Sequence, residues 1–289
     1  MSPSLPQIVL LSVVQGAAEP LPVSSSAHVI AVERIMRLDP SSPEMTFLLA
    51  MLHTGTTLAV IVYFWDSWKR SFFAGPTQLR EAVSRVAVAT AVTLGVYFAL
   101  EQAIKRTGRP GAEVEDLFSN LPLLAGALAV GGALIVYSGL RSRQAAAQAG
   151  VAGQPVPASS AFWIGAIQGV VLPFRGLSRS GATISTGMLL GVSRRVSEEF
   201  SFALAVVITP PVVVRELLRF TRARAAQPGV VHAAALVTPG LIGMACSFCA
   251  GLVALRWLSG WLEAGRWHYF GFYCFAAAAG VLALWRLGY

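Results

Sequence analysis

Charge is scarce in this chain. Asp, Glu, Lys and Arg make up 12% of its 289 residues, about half the share of an average soluble domain, while 55% are hydrophobic. That balance excludes an ordinary soluble domain and points to a polytopic membrane protein. A basic block is also missing. The formal net charge is +8, but the lysines and arginines are spread over several short connections, which fits membrane lipids with anionic headgroups as a partner and no nucleic acid. Only three cysteines occur, Cys246, Cys249 and Cys274, all in apolar C-terminal runs, so small packing thiols are expected in place of a disulfide framework or metal site. No basic n-region or small-residue cleavage site marks the N-terminus, and Met1 to Ala18 reads as mature structure. Long linkers are lacking as well, so residues 1–289 read as a single integral membrane domain, with repeat halves of roughly 1–140 and 158–289.

Long apolar runs are abundant. A spanning helix needs about 20 mostly apolar residues. Met45 to Trp65, Leu117 to Leu140, Ala225 to Leu255 and Trp267 to Trp285 contain no Asp, Glu, Lys or Arg and are long enough to cross a bilayer. The shorter cores Val86 to Leu100 and Phe200 to Val214 reach that length with snorkelling edges such as Arg85 and Arg215. Six spans follow. Asp66–Arg85, Glu101–Asp116, Arg141–Ala158, Arg219–Gln227 and Arg256–Arg266 read as connections, and Glu198 and Glu199 as caps of the Phe200 span. Trp65, Trp68, Trp257, Trp261, Trp267 and Trp285 fall at span ends and suit an interfacial belt. Lys and Arg on alternate connections nearly balance, leaving the orientation open.

The remaining apolar pieces flank two polar clusters. Leu5–Ala18 and Ala27–Val32 enclose Glu19-Pro-Leu-Pro-Val-Ser-Ser-Ser26, and Ala161–Leu172 and Gly181–Val192 enclose Pro173-Phe-Arg-Gly-Leu-Ser-Arg-Ser180. Each piece is too short to cross, and proline and glycine break the helix at the polar tip, which predicts two re-entrant helix-turn-helix hairpins. Gln15-Gly16 and Gln168-Gly169 open them about half a chain apart. One hairpin and three spans per half give an odd number of crossings, so the second half enters inverted and the two tips meet. The fold class expected is therefore an all-α polytopic membrane protein, with six transmembrane helices plus two re-entrant hairpins in two inverted-topology repeats.

Ionisable groups inside a membrane are costly and usually functional. Arg179, among Ser178, Ser180, Gly181 and Thr183, presents a fork of donors that matches phosphate oxygens. A helix starting near Ser180 would aim its N-terminus at the same anion. The alternative is a structural arginine paired with a carboxylate, for which Glu19 is the obvious partner. Glu19 and His28 suit proton transfer, and Ser24, Ser25 and Ser26 offer hydroxyls that bind phosphate, attack it, or cap the helix after Pro22. His53 is a weaker site candidate with packing as its default, and His232 and His268 suit an interfacial role.

Glu19-Pro-Leu-Pro-Val-Ser-Ser-Ser-Ala-His28 and Gly176-Leu-Ser-Arg-Ser-Gly-Ala-Thr183 resemble the two hallmark motifs of the undecaprenyl pyrophosphate phosphatase family, the bacitracin-resistance type. Supporting matches are Leu52-His-Thr-Gly-Thr-Thr-Leu-Ala-Val60, Gly191-Val-Ser-Arg194 and Glu199-Phe-Ser-Phe-Ala-Leu-Ala205. The resemblance runs nearly the full length. It implies a multi-pass enzyme of the bacterial inner membrane that removes the terminal phosphate of undecaprenyl pyrophosphate, regenerating the lipid carrier of cell-wall synthesis. The implied catalytic residues are Glu19, Ser25, His28 and Arg179, with Gln15, Ser24, Ser26, Arg175, Ser178, Ser180 and Thr183 on the substrate. A divalent cation, Mg or Ca, is implied as cofactor and a homodimer as assembly. Two departures stand out. The family's first motif usually opens with glutamate where this chain has Gln15, and Phe174 and Arg175 intervene between Pro173 and Gly176. The competing functions are a polyprenyl-phosphate transporter or flippase and a catalytically silent lipid-binding relative.

Overall fold

The computed structural model describes residues 3–39, 42–107, 120–146, 155–226 and 233–288. All regular structure among them is helical: α1 (Leu5–Ala18), α2 (Ser25–Ile35), α3 (Pro43–Ser71), α4 (Pro76–Thr107), α5 (Leu121–Ala146), α6 (Ala158–Val171), α7 (Arg179–Leu189), α8 (Arg194–Ala226), α9 (Ala233–Glu263) and α10 (His268–Arg286). Six of these, α3, α4, α5, α8, α9 and α10, are long and apolar enough to cross a membrane, and each overlaps one of the six expected spans.

The helices outrun the apolar cores. α3 continues to Ser71 and α4 starts at Pro76, so most of Asp66–Arg85 is helix and not connection; α5 likewise runs to Ala146, α8 to Ala226 and α9 to Glu263. The charged ends hold themselves in helix through ion pairs one turn apart, Lys69–Asp66 at 2.7 Å, Arg85–Glu81 at 2.9 Å and Lys105–Glu101 at 2.8 Å. Ala225 and Ala226 belong to α8, not to the next span. His232, Leu117 and residues 108–116 of the Glu101–Asp116 connection lie outside the described residues.

The chain order of helix lengths repeats. A 14-residue helix and an 11-residue helix open each half, α1 with α2 and α6 with α7, and the packing repeats with them. α1 lies on α9 while α6 lies on α4, and α5 packs against α10. Small residues permit these approaches: a Cβ on Gly16 would stand 2.5 Å from the Ser247 carbonyl oxygen, and one on Gly165 2.3 Å from that of Ala89. Thr93 on α4 then donates to the Gly165 carbonyl at 2.9 Å.

Two expectations about side chains are corrected. Trp267 and Trp68 are not belt residues. Both are buried in the core with Phe64, Phe202, Leu255 and Leu258, where the Trp267 indole N–H donates to Ser185 Oγ at 3.1 Å and that of Trp68 to the Glu199 carbonyl at 3.3 Å. A partner for the indole N–H makes such burial tolerable. Glu198 and Glu199 do not cap a helix, because α8 begins at Arg194. Glu199 instead accepts from Ser67 and from Arg195, and Glu198 from Ser259 at 2.5 Å, tying α8 to α3 and α9.

Candidate active site

The two proline-containing clusters break their helices and turn the chain. α1 stops at Ala18 and α2 resumes at Ser25; α6 stops at Val171 and α7 resumes at Arg179. Serine caps the new helix each time, as Ser24 Oγ accepts from the Ala27 N–H at 3.4 Å and Ser178 Oγ from the Gly181 N–H at 3.1 Å. Ser24 adopts φ 64° and ψ 90°, a conformation that costs a residue with a Cβ about 1–3 kcal/mol. It is held there by the bond from its hydroxyl to the Arg175 carbonyl on the other hairpin.

The tips meet. Besides Ser24 on Arg175, Ser180 Oγ donates to the Leu21 carbonyl at 3.3 Å and Arg179 donates to Glu19 Oε1 at 3.0 Å. Glu19 Oε2 accepts from Ser25 Oγ at 2.5 Å and from Gln15 Nε2 at 3.1 Å, and His53 Nε2 stands 4.0 Å away without a hydrogen bond. One carboxylate therefore holds a hydroxyl on one oxygen and a guanidinium on the other, a nucleophile–base–orienter arrangement.

Two openings border this first hairpin. On one side Glu19 and Arg179 face a crevice of about 10 Å³ between Thr56 and Val60 of α3 and Phe202 of α8. On the other, a cavity of about 720 Å³ is walled by Val14, Ala17, Leu21, Trp257, Trp261 and Phe270, within the ~300–1,000 Å³ of small-molecule sites. His28, Arg266, Tyr269 and Tyr273 bring polar groups to its lining.

Residues 8–280 match the family described as bacitracin resistance protein BacA. The chain belongs to this family. Similar proteins include "Undecaprenyl-diphosphatase 2" of Acinetobacter baylyi, 52% identical over 282 residues and 96% of both chains. "Undecaprenyl-diphosphatase" of Desulfosudis oleivorans is 33% identical, covering 96% of this chain and 97% of its own. The protein of the same name from Korarchaeum cryptofilum is 30% identical, covering 96% and 98%.

Within this BacA-family chain, the fold brings Gln15, Glu19, Ser25 and Arg179 together. His28 is placed differently: its Nδ1 lies 2.8 Å from the Ser24 carbonyl and its Nε2 2.7 Å from the Tyr273 hydroxyl, at the large cavity. Thr183 is fully buried, and its hydroxyl bonds the Arg179 carbonyl at 2.8 Å and Ser201 Oγ at 2.6 Å, locking α7 to α8. Ser178 and Ser180 are joined at 3.2 Å. Ser26 is half-buried, with no side-chain hydrogen bond among the described residues. Arg175 is exposed and acts electrostatically on the buried Glu33 of α2. His53, the weaker candidate of the sequence reading, places its Nε2 4.0 Å from the Glu19 carboxylate. Its signal was the motif Leu52-His-Thr-Gly-Thr-Thr57.

The donor set fits a resident cation poorly. No group of three or more His, Cys, Asp or Glu able to hold a metal ion occurs among the described residues. The carboxylate of Glu19 is already taken up by Arg179, Ser25 and Gln15, whereas a hard cation seeks free carboxylate oxygens.

Proposed function

We propose that this protein hydrolyses a polyprenyl diphosphate, undecaprenyl diphosphate in the bacterial inner membrane, to the monophosphate and inorganic phosphate. One observation carries the reading: the Ser25 hydroxyl donates to Glu19 at 2.5 Å while Arg179 is held on the same carboxylate from the opposite hairpin. The curated names of the relatives support it.

In this reading the prenyl tail occupies the large apolar cavity, and the diphosphate extends from its His28 end toward Ser25. Those two residues are three apart on α2, about 4.5 Å along the axis, a distance one diphosphate group covers. Arg179 directs its remaining guanidinium donors to the phosphate oxygens, and the N-termini of α2 and α7 add backbone donors. Glu19 accepts the Ser25 proton as Oγ attacks the terminal phosphorus. The bridging P–O bond breaks, and prenyl monophosphate leaves. Glu19 passes that proton to the departing monophosphate; water then attacks the phosphoserine and gives a proton to Glu19, which returns it to Ser25 Oγ as the serine P–O bond breaks and inorganic phosphate is released. Positioning and electrostatics supply most of the acceleration in such transfers.

The pairing of α1 with α9 and of α6 with α4 supports two halves inserted in opposite senses, with the hairpins re-entrant. A homodimer is the assembly that fits the resemblance. A divalent cation would reach the site together with the diphosphate, since Arg179, Ser25 and Gln15 already take up the Glu19 carboxylate.

The test is inorganic phosphate release from a short-chain prenyl diphosphate by the purified protein in detergent. Turnover by the wild type and a loss of at least about 10²-fold in Ser25→Ala are expected. Binding without turnover would overturn the reading in favour of a carrier.

A further inference from the structure

His28 is the one imidazole that lines the large cavity among the described residues, and both of its nitrogens are engaged. A backbone carbonyl can only accept, so the 2.8 Å contact with Ser24 O requires the proton on Nδ1. A neutral ring then carries its lone pair on Nε2, and the partner 2.7 Å away, the Tyr273 hydroxyl, must donate to it. The Tyr273 ring also stacks on the imidazole, with centroids 5.6 Å apart and planes inclined by 9°. The contact joins α2 of the first hairpin to α10 at the far end of the chain.

The structure assigns Tyr273 as a positioning residue for His28, fixing the ring's orientation from Nε2 beside the cavity while the Ser24 carbonyl sets the Nδ1–H tautomer. This rests on the reading that the site hydrolyses a polyprenyl diphosphate. A phenol suits the task because it serves both protonation states. It donates to Nε2 when the ring is neutral and accepts from Nε2–H when the ring is protonated, while Ser24 accepts from Nδ1–H in both. The ring therefore keeps one orientation through a proton cycle. Phenylalanine preserves the stack and loses that control.

The experiment compares wild type with Tyr273→Phe and with Tyr273→Phe in a His28→Ala background, using a short-chain prenyl diphosphate and 15N NMR of the histidines. The chain has four histidines, so the His28 resonances can be assigned by deletion. Tyr273→Phe is expected to lower kcat about tenfold, as when a group beside the diphosphate loses its fixed orientation, with KM changed less than twofold, and to shift the His28 Nε2 resonance. No further loss is expected when His28 is already alanine. An unchanged Nε2 resonance, or an equal loss of kcat in the His28→Ala background, would overturn the assignment. Absence of turnover in the wild type would instead overturn the hydrolase reading, with the NMR reporting separately on the hydrogen bond.

Discussion

Arg179 illustrates how one side chain satisfies two readings. Its ion pair with Glu19, at 3.0 Å, is the structural alternative that the sequence offered, yet the pair leaves donors of the guanidinium for an anion. Lysine is a point charge without the fork and cannot hold both. Arg179→Lys is accordingly expected to lose about 10²–10³-fold in phosphate release, measured with substrate saturating. Gln15 bears on the same carboxylate, since its amide donates to Glu19 one turn away. Gln15→Glu replaces that donor with a like charge, so its phosphate release should depend more steeply on added Mg²⁺ than the wild type's; identical titration curves would contradict this. The sequence placed Gln15, Glu19, Ser25 and Arg179 correctly as polar groups at two tips. It could not tell which way His28 turns, because that depends on Tyr273, 245 positions away, and no local pattern encodes such a contact.

Helix positions were readable because apolar runs and proline breaks are local signals. Helix ends were not, because charged turns such as Glu101–Lys105 stay helical through their own ion pairs after the apolar core ends. Trp68 and Trp267 departed from the belt for a related reason: an end-of-span position is the same in sequence whether the ring is exposed, as that of Trp285 is, or in the core, as that of Trp267 is. Close helix approach is a further property visible only in three dimensions. Gly16→Ala would press a Cβ to 2.5 Å from the Ser247 carbonyl oxygen, and overpacking of this kind costs about 1–3 kcal/mol. A lower thermal transition in detergent is expected for Gly16→Ala. Gly260, where an added Cβ meets nothing within 4 Å, should tolerate alanine without any fall.

At the scale of the whole molecule, the first hairpin divides an ion-paired crevice from an apolar cavity about seventy times larger, 10 against 720 Å³. That asymmetry suits an amphiphile with a small anionic head and a long tail. Ala17 lines the larger space, and Ala17→Phe should raise KM for long-chain prenyl diphosphates several-fold more than for short-chain ones, since each buried methylene is worth about 0.8 kcal/mol. Equal effects on both would place the tail elsewhere. The two polar clusters half a chain apart, the meeting of their tips and the Arg179–Glu19 pair were all legible in the sequence, whereas the bonds of Ser24 to Arg175 and of Ser180 to Leu21 that fasten the tips were not.

A double-mutant cycle between the hairpins tests that union most directly. Phosphate release would be measured for wild type, Glu19→Gln, Arg179→Ala and the double variant. If both residues act on one reacting phosphate, the double variant should be little worse than the poorer single variant, giving a strongly non-additive cycle. Multiplicative losses, as for independent sites, would contradict a single active site shared by the two hairpins.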